Sequence, residues 1–255
     1  MLRSHRSHDD QAATLRQLFA RRPVQVLPVW IGSAFGADLP VWMARLARAF
    51  AQHGERTLVV DATRLYLAAA MGLRARFDLL HALTGECSLR RLMMEAGPDL
   101  WVVPALRALD RAAQSAGSAH QASEQPLTSA LQRLVAHCRC DRILLFFMAP
   151  HAAVLPGGCD WVVPVSRGGV RPLMADIQRL DTRLDIAQFR LLFLDMESAS
   201  ASTLSARFRT LAGHAAPRFL TGGQVRTRDD WIHVMRAASG WRSALLTQNA
   251  METWI

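Results

Sequence analysis

Lysine is absent from this sequence, and all 30 basic side chains are Arg. That excludes chemistry built on a lysine amine: Schiff-base enzymes, pyridoxal-phosphate enzymes and phosphate loops with their usual Lys. Cysteine is scarce. Cys87, Cys138, Cys140 and Cys159 are not spaced like a secreted disulfide scaffold. His137-Cys138-Arg139-Cys140 holds metal-ligand types, but no second pair stands at zinc spacing, so buried free thiols are expected and no metal. The longest apolar runs, near Leu65–Met71 and Ile143–Pro150, fall far short of the ~20 residues needed to cross a bilayer. The opening Met1-Leu2-Arg3-Ser4-His5-Arg6 lacks the apolar stretch of a signal peptide, so a cytoplasmic protein is expected. A single Tyr, Tyr66, beside seven Trp does not form the interleaved basic and aromatic pattern of single-strand nucleic-acid binders. No Gly-x-Ser-x-Gly elbow accompanies His137 or His151.

What remains is an ordinary globular composition, 51% hydrophobic and 20% charged over 255 residues. A chain of this length buries roughly 70% of its unfolded surface and needs no disulfide or metal to hold a core. The net charge of +9 favours acidic partners. The Arg residues are spread along the whole chain rather than gathered in a patch, which speaks against nucleic acid as the partner.

Residues 1–22 read as a polar tail followed by a short amphipathic helix. Asp9 or Asp10 caps it, Ala12, Leu15, Leu18 and Phe19 form its apolar stripe, and Pro23 stops it. Residues 23–255 read as one α/β domain. Val24–Ile31 is a strand, Gly32 to Gly36 a loop, Asp38 or Leu39 to His53 a helix, and Thr57–Asp61 a second strand, which together make a βαβ unit. Short helices are predicted at 64–71, 76–84 and 88–95, and a polar linker at 114–125. A helix follows at Pro126–Arg139. Further strands are predicted at Leu100–Pro104, Asp141–Met148, Asp160–Ser166, Phe189–Asp195 and Pro217–Leu220. Helices are predicted at Gly169–Leu184, Ala201–Gly213 and from Asp229 to Ala238. The alternation predicts a doubly wound, mostly parallel sheet of about seven to eight strands. The stretch from Trp241 to Ile255 fits core packing better than a membrane-surface helix.

In such folds the turn after the first strand holds phosphate on a helix N-terminus. Here it reads Gly32-Ser33-Ala34-Phe35-Gly36-Ala37-Asp38-Leu39-Pro40. Leu39 and Pro40 stand where a cation and a magnesium-binding hydroxyl belong, Pro40 lacks an N–H, and Asp38 repels phosphate. Trp30 and Trp42 bracket this loop and are expected to fill the space a phosphate would take. Ser166-Arg167-Gly168-Gly169 reads as a tight turn rather than an anion site, and a metal site at His5, His8, Asp9 and Asp10 is not expected.

The order of elements, the stretch Asp10-Gln11-Ala12-x-x-Leu15-Arg16 and the run from Arg45 to Ala62, RLARAFAQHGERTLVVDA, resemble the FlhG (FleN) family of MinD/ParA-like P-loop ATPases. The run from Met71 to Ala105 fits the same family, apart from Met71 in place of its Leu. The likeness extends from about residue 9 to 245 and is strongest over 9–106. The resemblance implies a regulator of flagellar number or placement. Its N-terminal helix would dock on the flagellar SRP-type GTPase, FlhF, and stimulate GTP hydrolysis. Asp10, Gln11, Ala12, Leu15 and Arg16 would be the contact residues. The same helix could instead pack on this chain's own sheet. The family's loop reads GKGGVGKT, and both lysines and the Thr are missing here. The second acid expected after the fifth strand is replaced by Phe146-Phe147-Met148, while Asp61 survives, with a helix cap as its remaining use.

These departures predict a chain that has lost the family's ATP and magnesium. It would act as a nucleotide-independent binding module, with other flagellar or transcriptional regulators as further partners. Membrane contact would be weak or absent, and location at a cell pole would come through a partner. Two alternatives stand beside it: a MinD-like ATPase that borrows an Arg as its cation, and a ParA-like protein that binds DNA nonspecifically.

Overall fold

The computed structural model describes residues 24–32, 39–64, 66–116, 124–148, 151, 161–165, 172–173, 175–176, 189–193, 202–203, 206, 218–221 and 244–246. β1 (Val24–Trp30) is followed by α1 (Leu39–Gln52), β2 (Thr57–Asp61), α2 (Leu67–Ala70), α3 (Leu79–Leu83), α4 (Leu89–Leu92), β3 (Met94–Gly97) and β4 (Leu100–Pro104). Next come α5 (Leu106–Ala116), α6 (Glu124–Cys138), β5 (Arg142–Phe147), β6 (Trp161–Val165), β7 (Phe189–Phe193), β8 (Arg218–Thr221) and β9 (Ala244–Leu246).

The strands form one sheet in the order β3-β4-β2-β5-β1-β6-β7-β8, with β9 paired to β1. Seven are mutually parallel, and β3 and β9 run antiparallel to their partners. β5 lies between β1 and β2, with Val26 opposite Ile143 and Leu58 opposite the same residue. All six residues of β5, RILLFF, are buried, as a strand covered on both faces requires.

Alternation along β1 separates two cores. Val24, Val26 and Trp30 face a cluster with Leu79, Leu92, Leu109, Leu131, Leu134 and Leu145, under α3 to α6. Leu27, Val29 and Ile31 face a second cluster with Trp42, Met43, Leu46, Phe50, Leu67 and Met71, under α1 and α2. α1 forms because Leu39, Trp42, Met43, Leu46, Ala47 and Phe50 fall on one helical stripe, and all are buried. Each large side chain on that stripe contributes about 1.5–3 kcal/mol of transfer free energy. Pro40 sits in the first turn, where its missing N–H costs nothing. Gly54, at φ 87°, ends the helix in the left-handed region.

Two expectations change. The helix expected over 88–95 is a single turn, Leu89–Leu92. Met93 turns extended, and Met94–Gly97 folds back as β3 against β4. Leu89 and Leu92 imitate the opening of an apolar stripe, but the edge of β4 needs a partner and takes this one. The linker expected at 114–125 is helical at both ends, since α5 continues to Ala116 and α6 begins at Glu124. Within the stretch from Trp241 to Ile255, for which core packing is expected, Ala244–Leu246 is a strand paired to β1. The segments predicted helical at 169–184 and 201–213 are described only at isolated helical residues, and 229–238 lies outside the described residues, as does the leading helix.

Candidate functional site at the carboxyl edge of the sheet

β1, β2, β4 and β5 are parallel and end together, so the turns after them share one edge. Backbone hydrogen bonds extend the ladder just past the strands: Ile31 N to Phe147 O (2.8 Å), Ala62 N to Phe146 O (2.8 Å) and Ala105 N to Asp61 O (2.8 Å). Gly32, Leu39, Pro40 and Asp61 all lie at this edge. Ser33, Ala34, Gly36 and Asp38 of the loop fall outside the described residues, as do Asp10, Gln11, Ala12, Leu15 and Arg16.

Asp61 is buried, and its carboxylate is turned onto its own chain. Oδ1 accepts from the Thr63 backbone N (3.0 Å) and Thr63 Oγ1 (2.6 Å), and Oδ2 accepts from Leu67 N (3.1 Å) at the start of α2. Burial raises the pKa of this carboxyl above the usual value, the Thr63 and Leu67 hydrogen bonds oppose that rise, and the nearby Asp78 charge adds to it. Asp61 is therefore a cap in this structure.

Asp78 does the same for two helices. Oδ1 accepts from Leu80 N (2.9 Å) in α3 and Ala108 N (3.2 Å) in α5, and Oδ2 accepts from Arg107 N (3.2 Å). His81 Nδ1 accepts the Asp78 N–H in return (2.9 Å). A third carboxylate, that of Asp176, lies against Gly32 just past the end of β1. A Cβ on Gly32 would lie 2.8 Å from Asp176 Oδ2, so only a glycine lets that oxygen approach so near.

After β5, the position expected to hold a second acid is apolar. Phe146 and Phe147 are fully buried in opposite cores, and Phe147 meets Trp161 edge to face at 5.1 Å. Beyond them His151 is fully buried; Nδ1 accepts Met148 N (3.4 Å) and Nε2 meets Asp110 Oδ1 at 2.8 Å. Both ring nitrogens are thereby engaged in holding the turn. Trp30 and Trp42 do not share one space over the loop. Trp30 packs in the α3 to α6 core, beside Gly32, and Trp42 in the α1 core. They sit on opposite faces because one points down from the sheet and the other rides the buried stripe of α1.

Asp78, Asp110 and Asp176 were missed as members of this edge. Asp78 ahead of Leu79-Leu80-His81 carries a readable N-cap signal. Asp110 and Asp176 reach the edge only through tertiary packing and leave no local signal. Among the described residues no group of three or more His, Cys, Asp or Glu is placed to hold a metal ion. None of the described helices is long and apolar enough to cross a membrane.

A Mg·triphosphate takes from this edge free helix N–H groups, a cation and a hydroxyl. Here the residues aligned with that cation and hydroxyl are Leu39, which is buried in the core, and Pro40, which has no N–H. Asp61 is spent on Thr63 and Leu67. The described residues do not supply the donor set that the group needs.

No protein-family model matches the chain, and no curated protein matches it significantly in sequence. Solved structures do. The chain is similar to the ATP complex of McdA(D38A) from Cyanothece, with TM-score 0.59 and 13% identity over 85% of this chain and 96% of that one. It is similar to cobyrinic acid a,c-diamide synthase from Mycobacterium smegmatis with a bound ATP analogue and magnesium, with TM-score 0.57 and 16% identity over 88% and 100%. A plasmid partition protein from Borrelia burgdorferi matches at TM-score 0.54 and 13% identity, over 85% and 99%. The fold is thus the one these structures share, a mostly parallel α/β sheet with helices, as the sequence predicts.

Proposed function

We propose that this chain is a nucleotide-independent binding module on a MinD/ParA-like scaffold, of the FlhG type, whose task is to engage a flagellar SRP-type GTPase. The observation that supports the loss of nucleotide chemistry is the first turn of α1, where Leu39, buried in the core, and Pro40, which has no N–H, stand in the places of the cation and the hydroxyl. At the neighbouring helix ends, carboxylates of the chain itself accept from the first N–H groups of α2, α3 and α5. A triphosphate brought to such an edge meets negative charge from Asp61, Asp78 and Asp176 and no lysine anywhere.

The partner side of the reading rests on sequence. Asp10, Gln11, Ala12, Leu15 and Arg16 keep the motif of the leading helix while the loop has lost its own. The leading helix would supply the stimulating contacts, and the domain at 23–255 would carry further contacts to flagellar or transcriptional regulators. Attachment to a cell pole would follow from those partners. The test is GTP hydrolysis by the cognate FlhF-type enzyme, measured with the full chain and with a chain lacking residues 1–22. Stimulation is expected with the first and lost with the second; equal stimulation by both refutes the assignment.

One second reading has an observation in its favour. Two similar structures hold ATP or an ATP analogue, so a MinD-like ATPase that uses Arg as its cation is the competing function. Saturable Mg·ATP binding decides for it.

A further inference from the structure

α1 and α2 cover one face of the sheet side by side, since Trp42, Met43 and Leu46 of the first share a core with Leu67 and Ala68 of the second. The outer surface of this layer is basic. On α1, Val41, Arg45 and Arg48 fall at i, i+4 and i+7, an exposed stripe opposite the buried one. Arg64 is exposed just before α2. Arg74 is exposed just after it, next to Leu73, which packs back on the same core. Among the described residues none of these four arginines forms an ion pair. From Leu39 to Phe77 the acids are Glu55, which pairs with Arg142, and Asp61, which is buried. This stretch therefore offers its surface arginines no carboxylate.

Tyr66 stands in the middle of that surface. Its backbone is left-handed, φ 52°, an unusual conformation for a bulky residue. Both sides are pinned: Leu67 N donates to Asp61 Oδ2 (3.1 Å), and Ala69 N donates to Tyr66 O (2.9 Å). The strain does not serve to bury the ring, which is 77% exposed. Glycine would make the same turn at no steric cost. Among the described residues the exposed large hydrophobics are Tyr66 and Val41. Val41 lies in the first turn of α1 and Tyr66 at the start of α2, and both helices begin at the carboxyl edge of the sheet.

We propose that this face docks an acidic segment of a partner protein. Its Asp and Glu carboxylates meet Arg45, Arg48, Arg64 and Arg74, and one apolar side chain lies against Tyr66 and Val41. Guanidinium forks take carboxylates two bonds at a time, and a tyrosine held by its backbone is an anchor that loses little entropy on binding. The other anionic partners fit less well. A lipid surface takes the apolar stripe of a helix, and α1 keeps that stripe in the core. Single-stranded nucleic acid takes a series of stacking aromatics, and Tyr66 is alone. A duplex takes the arginines on its phosphates and leaves the apolar pair unused. No residue of the leading helix enters the proposal, so it does not rest on the GTPase assignment.

The test is fluorescence anisotropy of a labelled synthetic peptide, Asp and Glu around one Leu-Phe pair, titrated with the full chain. Saturable binding that weakens as salt is raised is expected. Arg45→Glu and Arg48→Glu should each weaken it at least about fivefold. Arg111→Glu changes the net charge equally but lies exposed on α5, under the other face, and should stay within about twofold. Tyr66→Gly removes the ring and relieves the turn, so affinity should fall at least about fivefold while the melting temperature holds or rises. A merely structural Tyr66 would give the reverse. The proposal is overturned by absence of saturable binding, by equal binding of the peptide with Asn and Gln for its acids, by equal loss with Arg111→Glu, or by unchanged affinity in Tyr66→Gly. Tighter binding to a short DNA duplex or to phosphatidylserine vesicles than to the peptide would also overturn it.

Discussion

At Asp61 a carboxylate that ends a strand is bound by the three donors that follow it in sequence, so its chemistry is local and its protonation is coupled to folding. Its folded pKa is raised, and desolvation is the largest cause. A raised carboxyl binds its proton more readily in the folded state, so it lowers stability as pH climbs from the ordinary carboxyl range through the folded value. Asp61→Asn should remove that slope. Urea unfolding near pH 4 and pH 7 is expected to show the unsubstituted chain gaining on the variant at the lower pH; a parallel course at both contradicts the burial argument. Asn also has one acceptor oxygen where Asp has two, so it forfeits a backbone hydrogen bond worth about 1 kcal/mol. A different residue-scale prediction concerns Arg142. Its guanidinium is buried, pairs with Glu55 and stacks over the Phe50 ring at 4.7 Å. Arg142→Ala leaves Glu55 half-buried without its cation and should cost about 3 kcal/mol in urea unfolding. A change within a few tenths of a kcal/mol would mean that the pair is only a surface contact.

At the scale of elements, Asp78 joins two helices that are far apart in sequence. Its oxygens accept from the first turns of both α3 and α5, and neither turn gains from another acid in its first turn. Asp78→Ala should cost about 2–3 kcal/mol, more than a single cap, because two N-termini lose their acceptor together. Amide hydrogen exchange checks the claim, with faster exchange expected in α3 and α5 at once. Fraying confined to α3 would show that the α5 contact is idle. The same scale shows how much the sequence reveals. Strands such as Thr57–Asp61 and Arg142–Phe147 are legible because continuous apolar runs have one use in a parallel sheet. α1 is legible from its stripe and from Gly54. β3 and β9 are not, because edge strands are short and gain their identity from a partner distant in the chain. The turn after β1 announces its missing cation, since Leu39 and Pro40 are visible in the sequence. The approach of Asp176 to Gly32 is not visible there, because the fold brings together residues more than a hundred positions apart.

For the whole molecule the two ends of the sheet have different roles. At the carboxyl edge Asp61 and Asp78 accept from the first N–H groups of neighbouring helices, and the amino edge carries the buried pair of Arg142 with Glu55. Carboxylates of Asp61 and Asp78 are held by the chain's own N–H groups, which fits the proposal of a protein that works by contact. The direct measurement is calorimetric titration of the full chain with Mg·ATP. The account predicts no saturable heat up to about millimolar ligand. A saturable isotherm with Kd well below that concentration, abolished by Asp61→Asn, would contradict it.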